Sequence, residues 1–177
     1  IDQELSLPLD IIIIRKIGRP SNEEYAMGAV GEDDLMILNE SAFAPADELW
    51  LKREIEKQKK EVLRRDMLYR EDREPADVAG KTAIIVDDGI ATGFTVKLAV
   101  KAIKNKHPGK IIVAVPVAPS ESIHELKEEG VDEIIVLEPP EEFLGAVGAY
   151  YQEFPQISDE TVIKLLREID KHKNEKP

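Results

Sequence analysis

The chain contains no cysteine. That excludes a disulfide framework, a cysteine-ligated zinc site and a catalytic thiol. Hydrophobic runs such as Ile11 to Ile14 fall far short of the roughly 20 residues needed to span a bilayer. No charged-then-apolar signal segment opens the sequence, so a cytoplasmic protein with no membrane partner is expected. Basic charge is in deficit: 24 Lys and Arg stand against 36 Asp and Glu, a formal net charge of −12. A surface of that sign repels phosphate backbones, so no nucleic-acid partner is expected. Aromatic residues are few, at 5%, with one tryptophan. What remains is a chain of 177 residues, 42% of them hydrophobic. That length suits one domain, residues 1–177, burying roughly 70% of its unfolded surface.

The first half gives mixed signals. Ile1 and Leu5 have helical spacing, so IDQELSL reads as the back half of a helix. Leu9 to Ile14 is a β-branched run, which predicts a strand covered on both faces and stopped by Gly18 and Pro20. Tyr25–Val30 and Leu35–Leu38, joined by Gly31-Glu32-Asp33-Asp34, predict a hairpin. Glu48 to about Tyr69 predicts a long charged helix. Nine bases and eight acids between Glu48 and Glu74 suggest a solvated face laced with i,i+4 pairs rather than a binding patch.

The second half has a regular rhythm. Strands are predicted at Thr82–Val86, Ile111–Val115 and Glu133–Leu137, with helices at Phe94–Lys106 and Ser120–Glu129 between them. Alternation of this kind indicates βαβ units and a parallel sheet, hence an α/β fold. Asp159–Lys173 is an amphipathic helix with Ser158 placed to cap it.

The most informative segment is AIIVDDGIATGFT, residues 83–95. A buried strand runs into two carboxylates, a loop of small residues and then a helix. In parallel α/β sheets ligands sit at the carboxyl ends of the strands, where Asp87 and Asp88 fall. Glycines allow close backbone approach, and the N–H groups opening a helix form an anion site. Hydroxyl acceptors thus stand beside phosphate donors, which suits a sugar phosphate. As hydroxyl acceptors the two acids are expected to be ionised. A Walker loop needs Lys after its last Gly, but Phe94 follows Gly93. A dinucleotide fingerprint carries its acid after the glycines, not before them. A receiver domain would carry its paired acids near the start of the chain. The bland alternative is a plain strand–turn–helix corner.

This segment resembles the phosphoribosyl pyrophosphate signature of type I phosphoribosyltransferases. LPLDIIIIRKIGRP, EEYAMGAV, LRRDMLYR, IIVAVPVAP and YQEFPQISDETV extend the resemblance to a bacterial and archaeal phosphoribosyltransferase family of uncertain substrate. The resemblance implies a parallel sheet flanked by helices, with a hairpin lid formed by Tyr25 to Leu38 and a small hood. It implies transfer of ribose 5-phosphate from phosphoribosyl pyrophosphate to a nitrogen base, with release of pyrophosphate, within nucleotide metabolism. Asp87 and Asp88 would hold the ribose hydroxyls. Gly89, Ile90, Ala91, Thr92, Gly93 and Thr95 would cradle the 5′-phosphate. Arg15 and Lys16 would lie near the pyrophosphate, Lys16 with a catalytic role. Phe143, within Pro139-Pro140-Glu141-Glu142-Phe143, would stack on the base, with Tyr150, Tyr151 and Phe154 as rivals.

The sequence departs from the family in two places. Ala91 stands where purine 6-oxo enzymes carry an acid, and Tyr150 where a hood metal ligand would fall. Magnesium is therefore expected to be held mainly through the substrate's own oxygens, with no protein metal site. The family's first strand and Arg-Gly-Gly pyrophosphate loop precede the helix that opens this sequence, so both are expected to be absent. A homodimer is expected. Two other readings stay open: a non-catalytic ribose-phosphate or nucleotide sensor, and a phosphate-ester hydrolase using Asp87 and Asp88 as metal ligands. His107, His124 and His172 lack ligand spacing, and the Asn39-Glu40-Ser41 sequon is read as chance.

Overall fold

The computed structural model describes residues 2–19, 22–39, 48–71, 73–138 and 143–174. Ile1, Pro20, Glu40, Ser41 and the stretch 139–142 lie outside the described residues, as do the side chains of Tyr25 and His172. A four-residue helix, α1 (Asp2–Leu5), leads into an antiparallel sheet of β1 (Ile14–Arg19), β2 (Asn22–Gly31) and β3 (Met36–Leu38), in that order. Then come α2 (Glu48–Arg70), β4 (Thr82–Val86), α3 (Phe94–Lys104), β5 (Lys110–Val117), α4 (Ser120–Glu128), β6 (Glu133–Glu138) and α5 (Asp159–Asn174). β4, β5 and β6 form a parallel sheet in that order, as the βαβ rhythm predicts. Among the described residues, no helix is long and apolar enough to cross a membrane.

The strand expected at Leu9–Ile14 is displaced: β1 begins at Ile14 and runs through the stretch expected to end it. Its position is set by pairing with β2, from Ile14 opposite Gly31 to Arg19 opposite Asn22. Gly18 is absorbed as an irregularity in that ladder rather than acting as a stop. The isoleucine run is nonetheless covered on both faces. Ile11 and Ile13 pack into one core with Ile17, Val30, Val62, Tyr69 and Leu166, while Ile12 packs into the other. The second core lies under the parallel sheet, around Ile90, Val96, Val100, Val113, Val115 and Leu126.

The hairpin expected as a lid forms, with Val30 opposite Met36. Its tip is fastened to its own chain. Glu32 accepts from the Ile13 N–H at 2.7 Å and from Arg70 at 3.1 Å, and Asp34 pairs with Lys59 at 2.7 Å. Any lid motion of this hairpin has to break those bonds first.

Candidate active site

β4 pairs in parallel with β5, and only Ala83 of the strand expected to be buried is fully so, Val86 being 50% exposed; its carboxyl end delivers the chain to Asp87. The backbone turns there: the Asp88 N–H donates to Asp87 Oδ1 at 3.1 Å. This local bond breaks the alternation that would send successive strand side chains to opposite faces. The two carboxyl groups stay close enough to repel. Burial, and then the neighbouring Asp88 charge, push the Asp87 carboxyl up to about 6. Burial also raises Asp88 above the ordinary carboxylate range. In both cases burial strips the ionised form of the solvation it has in water, and the fold does not make up the difference.

The loop is held from four sides. The Ile90 side chain is 1% exposed, and its N–H donates to the Val117 carbonyl at the end of β5 at 2.9 Å. The Ser122 hydroxyl, on buried Ser122 of α4, donates to the Ala91 carbonyl at 3.1 Å. The Tyr151 hydroxyl donates to the Asp88 carbonyl at 2.6 Å. Burial and the two carboxylates hold the Tyr151 phenol above its ordinary value, so it stays a donor. Finally, a Cβ on Gly89 would lie 2.7 Å from Val147 Cγ1 and 2.9 Å from Val117 Cγ1, so only glycine lets the turn at 147–150 settle over the loop.

Gly93 ends the loop at φ 75°, the left-handed region, and caps α3 without any side-chain hydrogen bond. The N–H groups at the first turn of α3 therefore have no side-chain partner at the cap, and the helix dipole adds to their attraction for an anion. Ala91, Thr92 and Thr95 are exposed at this opening, while Ile90 and Gly93 are buried. Lys97, one turn along, is engaged by Glu125 at 2.5 Å and lies over the Phe94 ring. The strand–loop–helix turn thus carries two carboxylate acceptors at one end and open backbone donors at the other.

The remaining predicted residues lie elsewhere. Arg15 and Lys16 are on β1 and line a cleft of about 1080 Å³ against α2; no residue from 87 to 95 lines it. Phe143 stacks on Tyr150 at 5.8 Å, and the Tyr150 hydroxyl accepts from the Leu144 N–H at 2.9 Å. The aromatic that contacts the acid loop is Tyr151, which packs on Phe154 at 4.9 Å. Ser122 and Val147 were not singled out from sequence. The only signal for Ser122 is its place just after the β5 strand, and none marks Val147. No group of three metal-ligating side chains occurs among the described residues. The acid pair alone suits a magnesium ion that takes most of its oxygens from substrate phosphates and water.

Known proteins share this sequence pattern and fold. The family model described as a phosphoribosyl transferase domain matches residues 2–152. Proteins from two strains of Mycobacterium tuberculosis, provisionally named phosphoribosyl transferases, are 36% identical over 166 residues. Those matches cover 93% of this chain but only 37% of each relative, so the chain spans little more than a third of their length. The crystal structure of TT1426 from Thermus thermophilus is similar at a TM-score of 0.70 and 38% identity, over 94% of this chain and 79% of that one.

Proposed function

Because the chain belongs to the phosphoribosyl transferase domain family, we propose that it transfers ribose 5-phosphate from phosphoribosyl pyrophosphate to a nitrogen base. The observation that carries the reading is the single turn from β4 to α3, which offers diol acceptors and phosphate donors together. Asp87 and Asp88 accept hydrogen bonds from the 2′- and 3′-hydroxyls. The backbone from Gly89 to Gly93, the Thr92 and Thr95 hydroxyls and the first turn of α3 hold the 5′-phosphate. With both ends of the sugar fixed, C1 is presented to the incoming nitrogen without further ordering. The bond from C1 to the pyrophosphate oxygen breaks as the bond to nitrogen forms, and the base nitrogen gives up its proton to the departing pyrophosphate. Arg15 and Lys16 are assigned to the leaving pyrophosphate and Phe143 to the base. Asp87 and Asp88 are the side chains that would help hold a magnesium ion, which when bound would neutralise charge on the leaving group. The same reading takes the protein to be a cytoplasmic homodimer, which light scattering tests in solution.

A second reading is favoured by one observation: the cleft of Arg15 and Lys16 is not lined by the acid loop. A ribose-phosphate sensor needs the loop and not the cations. Two measurements separate the readings. Under both, AMP should raise the melting temperature more than adenosine, because only the monophosphate reaches the α3 N-terminus. Equal shifts would remove the site assignment. Pyrophosphate release from phosphoribosyl pyrophosphate across a panel of bases then decides for transfer; binding without release with any base decides for the sensor.

A further inference from the structure

Two residues of α4 grip the β4–α3 turn, and both lie on one face of the helix. Ser122, 4% exposed, donates its hydroxyl to the Ala91 carbonyl at 3.1 Å. Glu125, three residues on and so on the same face, holds Lys97 of α3 at 2.5 Å. A Cβ on Gly93 would lie 3.5 Å from both the Ser122 hydroxyl oxygen and Lys97 Cε, so the two grips flank the residue that opens α3. A helical serine can turn its hydroxyl to a carbonyl of its own preceding turn. Ser122 instead reaches a carbonyl 31 residues back along the chain.

That bond fixes which way one peptide points. In a planar trans peptide the C=O and the following N–H point in opposite directions. No cis peptide occurs among the described residues. With the Ala91 carbonyl drawn toward α4, the Thr92 N–H of the same peptide is aimed away from α4. Ala91 and Thr92 are both exposed, and the Thr92 N–H has no acceptor among the described residues. A reversed peptide would set an oxygen where that N–H stands and repel an anion.

We propose that Ser122 is a positioning residue for the phosphate end of the site, aiming the Thr92 N–H at a bound 5′-phosphate. The role rests on the reading that the 5′-phosphate lies at this loop, and it adds a residue that does not itself touch the ligand. Without the hydroxyl the Ala91 carbonyl is released, and the peptide is free to turn its oxygen to the phosphate. Asp87 and Asp88 hold the ribose end outside the peptide concerned, so the loss falls on the phosphate alone.

Calorimetry with AMP and with adenosine on the full chain reads the phosphate end as the ratio of the two affinities. In the wild type AMP should bind more tightly. Ser122→Ala should cut that preference roughly tenfold, as for one charge-assisted hydrogen bond, and leave adenosine affinity unchanged. Ser122→Thr keeps the hydroxyl and should restore the preference. Amide NMR supplies a readout that a merely structural role would not move. The Thr92 N–H signal should shift downfield as AMP saturates the wild type, and should not do so in Ser122→Ala at saturating AMP. A preference kept in full by Ser122→Ala, or a Thr92 signal that shifts there as in the wild type, overturns the role of Ser122 and leaves the phosphate assignment standing. Equal loss of both affinities shows general damage to the turn and also overturns the role. Equal affinity of the wild type for AMP and adenosine removes the phosphate assignment, and the role of Ser122 with it.

Discussion

Two ionic clusters, one around Arg70 and one at Asp87 and Asp88, are built on opposite terms. Arg70 is 8% exposed, and its guanidinium donates to Asp10 at 2.6 Å, the Ile11 carbonyl at 2.6 Å, Asp66 at 2.8 Å and Glu32 at 3.1 Å. Burial alone would lower its pKa, but Glu32 and Asp10 more than offset that and raise it. Asp10 shows the converse. Burial would raise it, yet the Ala76 and Ile11 N–H groups and Arg70 hold it low. This cluster is complete within the protein: it ties the isoleucine run, the hairpin tip and the end of α2 together. The acid pair is incomplete. Asp87 meets burial and the charge of its neighbour, Asp88 meets burial, and both are pushed up. Charges satisfied internally hold a fold, and charges left wanting hydrogen-bond donors wait for a ligand.

The largest expected effect lies in the completed cluster. Arg70→Met should cost about 3–5 kcal/mol in urea unfolding, because Glu32 and Asp10 are left part-buried without their cation. Adding Glu32→Gln and Asp10→Asn should recover much of that loss. A single substitution costing under about 1 kcal/mol would erase the contrast, since that is the worth of an exposed pair.

In the incomplete cluster the sign reverses. The folded pKa of Asp87 lies above its unfolded value of 3.8, so the folded state binds more protons between pH 4 and about 6 and loses stability as pH rises through that window. Asp87→Asn should therefore stabilise the ligand-free protein at pH 8 by about 1–3 kcal/mol and leave it unchanged near pH 3.5. Melting curves across that range check the sign. Destabilisation at pH 8 would mean that the carboxylate is satisfied by the fold after all.

The smallest effect is expected at the contact between the acid loop and the hood. Tyr151→Phe removes the donor to the Asp88 carbonyl and should cost about 0.5–1.5 kcal/mol, read by chemical unfolding. AMP affinity should fall a few-fold as the loop loosens. Unchanged stability and affinity would show that Val147 over Gly89 positions the loop alone.

The β4–α3 turn was legible because its information is local. A β-branched strand, an acid pair, a small-residue loop and an amphipathic helix follow one another within residues 82–104. The register of β1 was not, because it depends on a partner strand: four isoleucines express β propensity, but only the pairing of Ile14 with Gly31 sets where the ladder starts. The loop's supports were illegible for the same reason. Tyr151, Val117 and Ser122 come to residues 88–91 from three later elements, and nothing in their neighbourhoods marks the contact. The cleft between β1 and α2 was illegible on the same ground, because Arg15, Lys16 and Arg19 meet α2 only through tertiary packing.

The central claim is that Asp87 and Asp88 together receive a sugar diol. Calorimetry is run at pH 8, above the Asp87 value of about 6, so that the Asp87 carboxylate is ionised. AMP and its 2′,3′-dideoxy analogue are titrated into the wild type and into the Asp87→Asn, Asp88→Asn double variant. Each lost charge-assisted hydrogen bond is worth roughly 1.5–3 kcal/mol, or about one to two decades in affinity. The dideoxy analogue should therefore bind the wild type about as poorly as AMP binds the double variant, and the two losses should not add when combined. Full AMP affinity in the double variant, or equal affinity of the wild type for both nucleotides, would contradict the account.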